Sequence, residues 1–323
     1  MKKVLFATTA LIATAGVAAA EVKFGGYGRF GIGYLEDRST DANVSDTILV
    51  SRFRLNIDGI VETDGGVRFE GRVRVQADEN ADNGEANAAG LNGARFSVIF
   101  GGLRVDAGNV AGSFDNLANY YGNEPGLETF IGQYSGVDYD FLAYSSTGAG
   151  ANAVFFQYAV GDFAFGASYD QNVGDTGATT GPLSGIDRWD LSATYTFNNI
   201  TAALAYGQTD APAGGEKSTL TVLTLGAEFG DFSGTLFVAD DDVANDAENG
   251  TAWGFSAAYN VGSALTLTAA YGDGSADDDT RNIGIGAIYD LGGGASLRGG
   301  IGDIKTGDAD SQLRADFGAQ FNF

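Results

Sequence analysis

The chain has 323 residues, with 18 Lys and Arg against 42 Asp and Glu, 50 Gly, 3 Pro, and neither Cys nor His. Without Cys or His it holds no disulfide framework, zinc finger, iron–sulfur site or histidine triad, and a formal net charge of −24 speaks against nucleic acid, whose phosphates need clustered cations. With 44% hydrophobic and 12% aromatic residues it is too apolar for a disordered acidic polymer.

Residues 1–20 read as a secretory leader. Met1-Lys2-Lys3 is a basic start, Val4 to Gly16 an apolar run, and Ala18-Ala19-Ala20 the small residues before a cleavage predicted between Ala20 and Glu21. The apolar run is shorter than the roughly 20 residues that span a bilayer as a helix. From Glu21 to Phe323 one β domain is predicted. No later stretch sustains a helical apolar period or 18 consecutive apolar residues.

What recurs instead is alternation. Phe53, Leu55, Ile57 and Val61 alternate with Arg52, Arg54, Asn56 and Asp58, and Val67, Phe69, Val73 and Val75 alternate with Arg68, Glu70, Arg72 and Arg74. Trp189, Leu191, Ala193, Tyr195 and Phe197 share one parity, with Arg188, Asp190, Ser192, Thr194 and Thr196 on the other. At the end Leu313, Ala315, Phe317, Ala319, Phe321 and Phe323 alternate with Arg314, Asp316, Gln320 and Asn322. Period two gives each strand one oily and one wet face. The run from Phe232 to Ala239 reads equally well on either parity.

The punctuation is one-sided. Short turns fall at Asp64–Gly66, Gly101–Gly102, Gly161–Asp162, Asn198–Asn199, Gly230–Asp231, Gly262–Ser263 and Gly292–Gly294. Long loops fall near Asp37–Asp46, Asp78–Gly90, Val110–Gly150, Asn172–Gly185, Gln208–Lys217, Asp240–Gly250, Gly272–Thr280 and Ile304–Asp310. Seven turns alternating with eight loops make sixteen strands, all turns at one end of the sheet. A sandwich would need Greek-key connections. Aromatics cluster at both strand ends, with Tyr34, Tyr169, Tyr206 and Tyr271 before long loops and Phe163, Phe197, Phe229 and Phe232 beside short turns. Strands of about 9–11 residues, short periplasmic turns, long outer loops and aromatic girdles are the marks of a transmembrane barrel. The predicted fold is all-β, a 16-stranded antiparallel transmembrane β-barrel in the outer membrane of a Gram-negative bacterium.

Particular stretches also carry a likeness. Glu21-Val22-Lys23-Phe24-Gly25-Gly26-Tyr27-Gly28-Arg29-Phe30-Gly31 resembles the first strand of the general porins of photosynthetic and related alphaproteobacteria, the Rhodobacter/Rhodopseudomonas type. Ser51-Arg52-Phe53-Arg54-Leu55-Asn56-Ile57 is similar to their second strand, as are Gly108-Asn109 and Ser113-Phe114-Asp115 to their third-loop segment. Asp290-Leu291-Gly292-Gly293-Gly294-Ala295-Ser296-Leu297 and the ending Phe321-Asn322-Phe323 look like the same family. The resemblance spans the chain after the leader, outer loops excepted. It implies a homotrimer in contact with lipid and lipopolysaccharide, a third loop folded into the lumen, and passive passage of small hydrophilic solutes and ions.

The cations locate the chemistry. Once Lys2 and Lys3 leave, ten of the remaining 16 precede Val105. Arg52, Arg54, Arg68, Arg72 and Arg74 oppose the apolar parity, and Arg29, Arg95 and Arg104 share that inward setting, so the eight are predicted to line the pore. The resemblance supplies an acidic third loop to face them, here about 110–150, with Asp115, Glu124, Glu128, Asp138 and Asp140 as its candidate acids. Opposed cations and carboxylates would set a transverse field that sieves by size and polarity. The plainer alternative is that these arginines brace the wall through salt bridges.

Other signals weigh less. Gly26-Tyr27-Gly28-Arg29-Phe30-Gly31 fits G-x-G-x-x-G, yet no helix follows to receive a phosphate. Packing accounts for it better: Gly26 and Gly28, with Phe323, are the expected trimer contact. No cofactor is required. Asp240–Asp242 and Asp277–Asp279 offer oxygens suited to Ca²⁺, against the simpler reading of a solvated charge run. The predicted function is a general diffusion porin and not an enzyme, since no nucleophile–base pair stands out. The alternatives are a solute-specific channel of the same fold and a non-conducting structural barrel.

Overall fold

The computed structural model describes residues 20–39, 44–171, 186–211 and 215–323. The expected leader, all but Ala20, and the predicted loop Asn172–Gly185 lie outside the described residues. The strands in chain order are β1 (Glu21–Leu35), β2 (Thr47–Glu62), β3 (Arg68–Asp78), β4 in two pieces (Gly90–Leu91 and Arg95–Phe100), β5 (Leu103–Gly108), β6 (Ala153–Val160), β7 (Phe163–Gln171) and β8 (Asp187–Phe197). They continue as β9 (Ile200–Thr209), β10 (Ser218–Phe229), β11 (Phe232–Asp242), β12 (Gly250–Val261), β13 (Leu265–Gly274), β14 (Thr280–Gly292), β15 (Ala295–Thr306) and β16 (Gln312–Asn322).

Each strand pairs antiparallel with its neighbours in sequence, and β1 pairs with β16 from Tyr27↔Asn322 to Leu35↔Arg314, which closes the sheet. The Gly26 N–H also donates to the Phe323 carbonyl at 2.9 Å, extending the seam to the end of the chain. Closure leaves no edge whose amides would face lipid unpaired. The two pieces of β4 register against β3 one residue apart, as Val75↔Leu91 and Arg72↔Arg95 show. The Asn92 side chain fills that bulge, accepting from the Arg74 N–H at 2.6 Å.

Turns and loops alternate as predicted: the seven tight connections share one end of the barrel. Asn198 makes its turn at a φ of 54°, a conformation Asn tolerates better than most residues. Outward positions form an apolar band of exposed large side chains, among them Phe30, Leu49, Phe53, Phe165, Leu223, Leu236 and Ile285. On β11 the ambiguous parity resolves with Leu236 outward at 57% exposure and Phe237 inward at 1%. No described helix is long and apolar enough to cross a membrane; the crossing elements are strands.

Gly26 and Gly28 do face outward, but they are not open notches. A Cβ on Gly28 would stand 2.5 Å from the Phe321 ring, and one on Gly26 would press on the backbone of Arg54 and Leu55. Their missing side chains are filled from within the chain, and Phe323 stacks on Phe53 at 5.6 Å.

Leu223 sits midway along β10 on the lipid side. Arginine there is expected to cost about 2–4 kcal/mol of folding stability in bilayers. Urea titration of Leu223→Arg against Leu223→Phe in phospholipid vesicles checks this, and equal midpoints would place that face away from lipid.

Candidate functional site

Residues 109–152, between β5 and β6, enter the barrel and run along its inner wall. They do so because both surfaces carry apolar groups that water in the lumen would otherwise meet. Phe114, Leu117, Tyr120 and Tyr139 of the loop pack with Ala203, Ala205, Leu220, Val222, Phe237, Ala239 and Ala252 of β9 to β12 in one buried cluster. Each such large side chain contributes roughly 1.5–3 kcal/mol by leaving water. Inward-facing glycines receive the next stretch. The Phe130 ring lies where a Cβ on Gly284 or Gly300 would stand at 2.7 and 2.8 Å, and Leu127 sits likewise over Gly31 and Gly318 at 2.9 and 2.7 Å. The lumen side of β9 to β12 thus carries an apolar bed for the loop.

Polar sockets fix the loop's backbone. Asp316 of β16 accepts from the N–H groups of Leu127, Glu128 and Thr129 at 2.9, 2.8 and 3.0 Å and from the Thr129 hydroxyl at 3.1 Å. Asp241 accepts from the Asp138 N–H at 2.7 Å, Thr224 donates to the Ala118 carbonyl at 2.6 Å, and Asn282 donates to the Ile131 carbonyl at 2.5 Å. Arg188 and Arg314 donate to the carbonyls of Asp140 and Thr129.

The predicted basic residues gather on β1 to β5, where cross-strand pairing sets Arg29 beside Arg52 and Arg72 beside Arg95. Several carry a carboxylate partner. Arg52 pairs with Asp78, Arg72 with Asp58 at 2.5 Å, Arg104 with Asp106 at 3.0 Å, and Arg68 with Glu70 close to the short-turn end. Arg54 and Arg74 instead bond Gln76 and Asn56, at 2.5 and 2.8 Å, and both reach the Ser146 hydroxyl. Tyr144 lies under Arg74 and Arg95, and Tyr27 under Arg29 and Arg54.

The candidate acids do not form one opposing face. Glu128 stands in the basic wall itself, paired with Arg29 and at 3.0 Å with Arg52. Asp115 and Glu124 accept from the hydroxyls of Tyr121 and Tyr134 at 2.6 and 2.8 Å, and Asp115 also takes the Tyr144 N–H. Asp140 is exposed, 3.9 Å from Arg188. Asp138 joins Asp241 and Asp279 where β11 and the 275–279 loop meet the inner loop. Of the acids in Asp240–Asp242 and Asp277–Asp279, Asp241 and Asp279 accept from backbone amides, and among the described residues no group of three or more acidic side chains is placed to hold a metal ion.

Residues 7–309 match the Gram-negative porin family. The chain belongs to it. It is 31% identical to the porin of Fuscovulum blasticum and 29% identical to that of Rhodobacter capsulatus, in both cases over 94% of this chain and the whole of the relative. A solved structure of an engineered Rh. blastica porin superimposes with a TM-score of 0.76 at 28% identity, covering 94% of this chain and all of that one. This porin is a general diffusion channel of the outer membrane, a passive path for small solutes.

Three further arginines of the interior lie outside the predicted pore-lining set, although Arg188 and Arg314 read on the polar parity of their strands. Arg188 and Arg314 anchor the porin's inner loop, and Arg298 of β15 lies near Arg29 and Tyr27. All three sit on inward parity in late strands, a signal the early clustering of cations obscured.

Asp316→Ala in this porin is expected to loosen the inner loop by on the order of 3 kcal/mol, since three amides lose a charged acceptor. Amide exchange at Leu127, Glu128 and Thr129 reads this directly; unchanged protection would assign the hold to packing alone.

A pH effect follows from the acid corner. Burial first, then the charges of Asp241 and Asp279, push the Asp138 carboxyl up to about 6, and burial does the same for Asp279. Each holds a proton in the folded loop that the unfolded chain releases near pH 4, so this corner is firmest below about pH 4 and loses that contribution as pH rises through 6. Amides of residues 136–140, corrected for intrinsic rates, should exchange more slowly at pH 5 than at pH 7. Asp138→Asn should flatten the difference, and equal protection in the unaltered porin would refute it.

Proposed function

We propose that this porin sieves solutes at the gap between the arginine wall of β1 to β4 and the lumen side of its inner loop. The observation that carries the reading is the concentration of Arg29, Arg52, Arg54, Arg72, Arg74 and Arg95 on four adjacent strands, with the folded loop narrowing the same space. Charges held on rigid strands orient water, and an apolar solute must displace that water without replacing its hydrogen bonds. Negative charge on the loop comes from separate acids, the half-buried Asp115 and the exposed Glu124 and Asp140, while Glu128 lowers the net charge of the wall. Nothing in this mechanism makes or breaks a covalent bond, and the reading assigns no enzymatic step.

The assembly proposed is a homotrimer in lipid and lipopolysaccharide. The apolar outer face of β1, β2 and β16, carrying Phe24, Phe30, Leu49, Phe317 and Phe321, supports it. Because Phe321 covers Gly28, subunits would meet on aromatic rings rather than in glycine notches.

Single-channel recording of detergent-extracted protein tests function and assembly together. Conductance steps in groups of three, with no saturable block by any one neutral solute, are expected. Silence would favour a structural barrel, and block by one sugar a specific channel. Replacing Arg52, Arg54 and Arg72 together by Gln leaves Asp58 and Asp78 unpaired and should shift the reversal potential in a salt gradient toward cation preference. An unchanged reversal potential would remove these residues from the selectivity mechanism.

A further inference from the structure

The wall is unevenly neutralised. Arg29, Arg52, Arg68, Arg72 and Arg104 each have a carboxylate within salt-bridge distance, whereas among the described residues Arg54, Arg74 and Arg95 have none. These three converge on one short piece of the inner loop. The Arg54 Nη2 and Arg74 Nη1 groups donate to the Ser146 Oγ at 3.3 and 2.7 Å, and the Arg74 and Arg95 guanidiniums lie over the ring of Tyr144, at 4.5 and 5.7 Å from its centre. Tyr27 backs Arg54 at 5.2 Å. The Nε of Arg95 is buried without a hydrogen-bond partner.

Cations crowded without counter-charge repel one another, and the neutral oxygens of Gln76, Asn56 and Ser146 relieve this only in part. The aromatic rings hold the guanidinium planes in place and accept no proton, so remaining N–H donors stay unspent. Ser146 accepts from two arginines and keeps its own O–H to donate. Several fixed donors, unneutralised positive charge and one hydroxyl donor together match a tetrahedral oxyanion better than chloride, which offers no separate oxygens for so many directional bonds.

We propose that Arg54, Arg74 and Arg95, with Ser146, form a resting site for the phosphate dianion in the lumen, on the loop side of the arginine wall. The proposal deepens the porin reading and rests on it. Phosphate at this point completes the charge balance that carboxylates supply elsewhere on the wall. It dwells there between the two mouths of the channel, and while it dwells it excludes chloride.

The test is chloride current through single channels in about 0.1 M KCl, a background low enough to leave the charges incompletely screened, titrated with inorganic phosphate at pH 8. Saturable reduction of the current is expected. In Arg54→Gln/Arg74→Gln the half-blocking concentration should rise about tenfold or more, as lost charge-assisted hydrogen bonds imply. Lys217→Gln, on an outer loop, should leave the block in place. Absence of saturable block in the unaltered porin, or equal block in the double variant, would overturn the site. Lack of any current in KCl alone would instead count against the porin reading, so the two failures are distinguishable.

Discussion

Hydrocarbon supplies no hydrogen-bond partner, so every backbone N–H and C=O that crosses it must be satisfied by the chain itself. In this protein the demand is met by a single antiparallel meander whose first and last strands join, from Tyr27↔Asn322 to Leu35↔Arg314. Closure makes two different solvents, lipid outside and water inside. Everything else follows from a wall that must suit both at once: the apolar band, the polar lumen lining and the one-sided loops.

The inner loop complicates that division. Where residues 109–152 lie on the wall, the inside is no longer wet, and β10 has apolar residues on both faces, with Leu220 and Val222 under the loop and Leu223 and Leu225 toward lipid. The glycines have the same origin. Gly284, Gly300 and Gly318 are inward positions at which a loop side chain occupies the space a Cβ would need. A few of the chain's 50 glycines are therefore a mould for Phe130 and Leu127.

This explains which parts of the protein were legible in the sequence. Strands with one oily and one wet face, such as β2, β3, β8 and β16, show their parity directly, and Gly, Asn and Asp mark their turns. That sufficed for strand number, topology and the inward setting of Arg52, Arg54, Arg72 and Arg74. β11 was ambiguous because Phe237 faces inward beneath Tyr120, a contact between residues 117 positions apart. Partner choice was equally hidden. Parity places Glu128 on no face at all, since it belongs to an irregular loop, and only the fold brings it between Arg29 and Arg52. What fills the space beside Gly28 was hidden in the same way: the ring that covers it comes from Phe321, near the other end of the chain.

The seam between β1 and β16 has a further consequence, in time rather than space. Fifteen of the sixteen strand pairings join neighbours in sequence and can zip locally, but this one brings together residues nearly the whole chain apart. Contacts of such separation form slowly, because the entropy of a very long loop is lost before any of them contributes. Until the seam forms, β1 and β16 are two open edges. The hazardous interval in the life of this protein is therefore the wait before closure, and an agent that shields those two edges would protect it most.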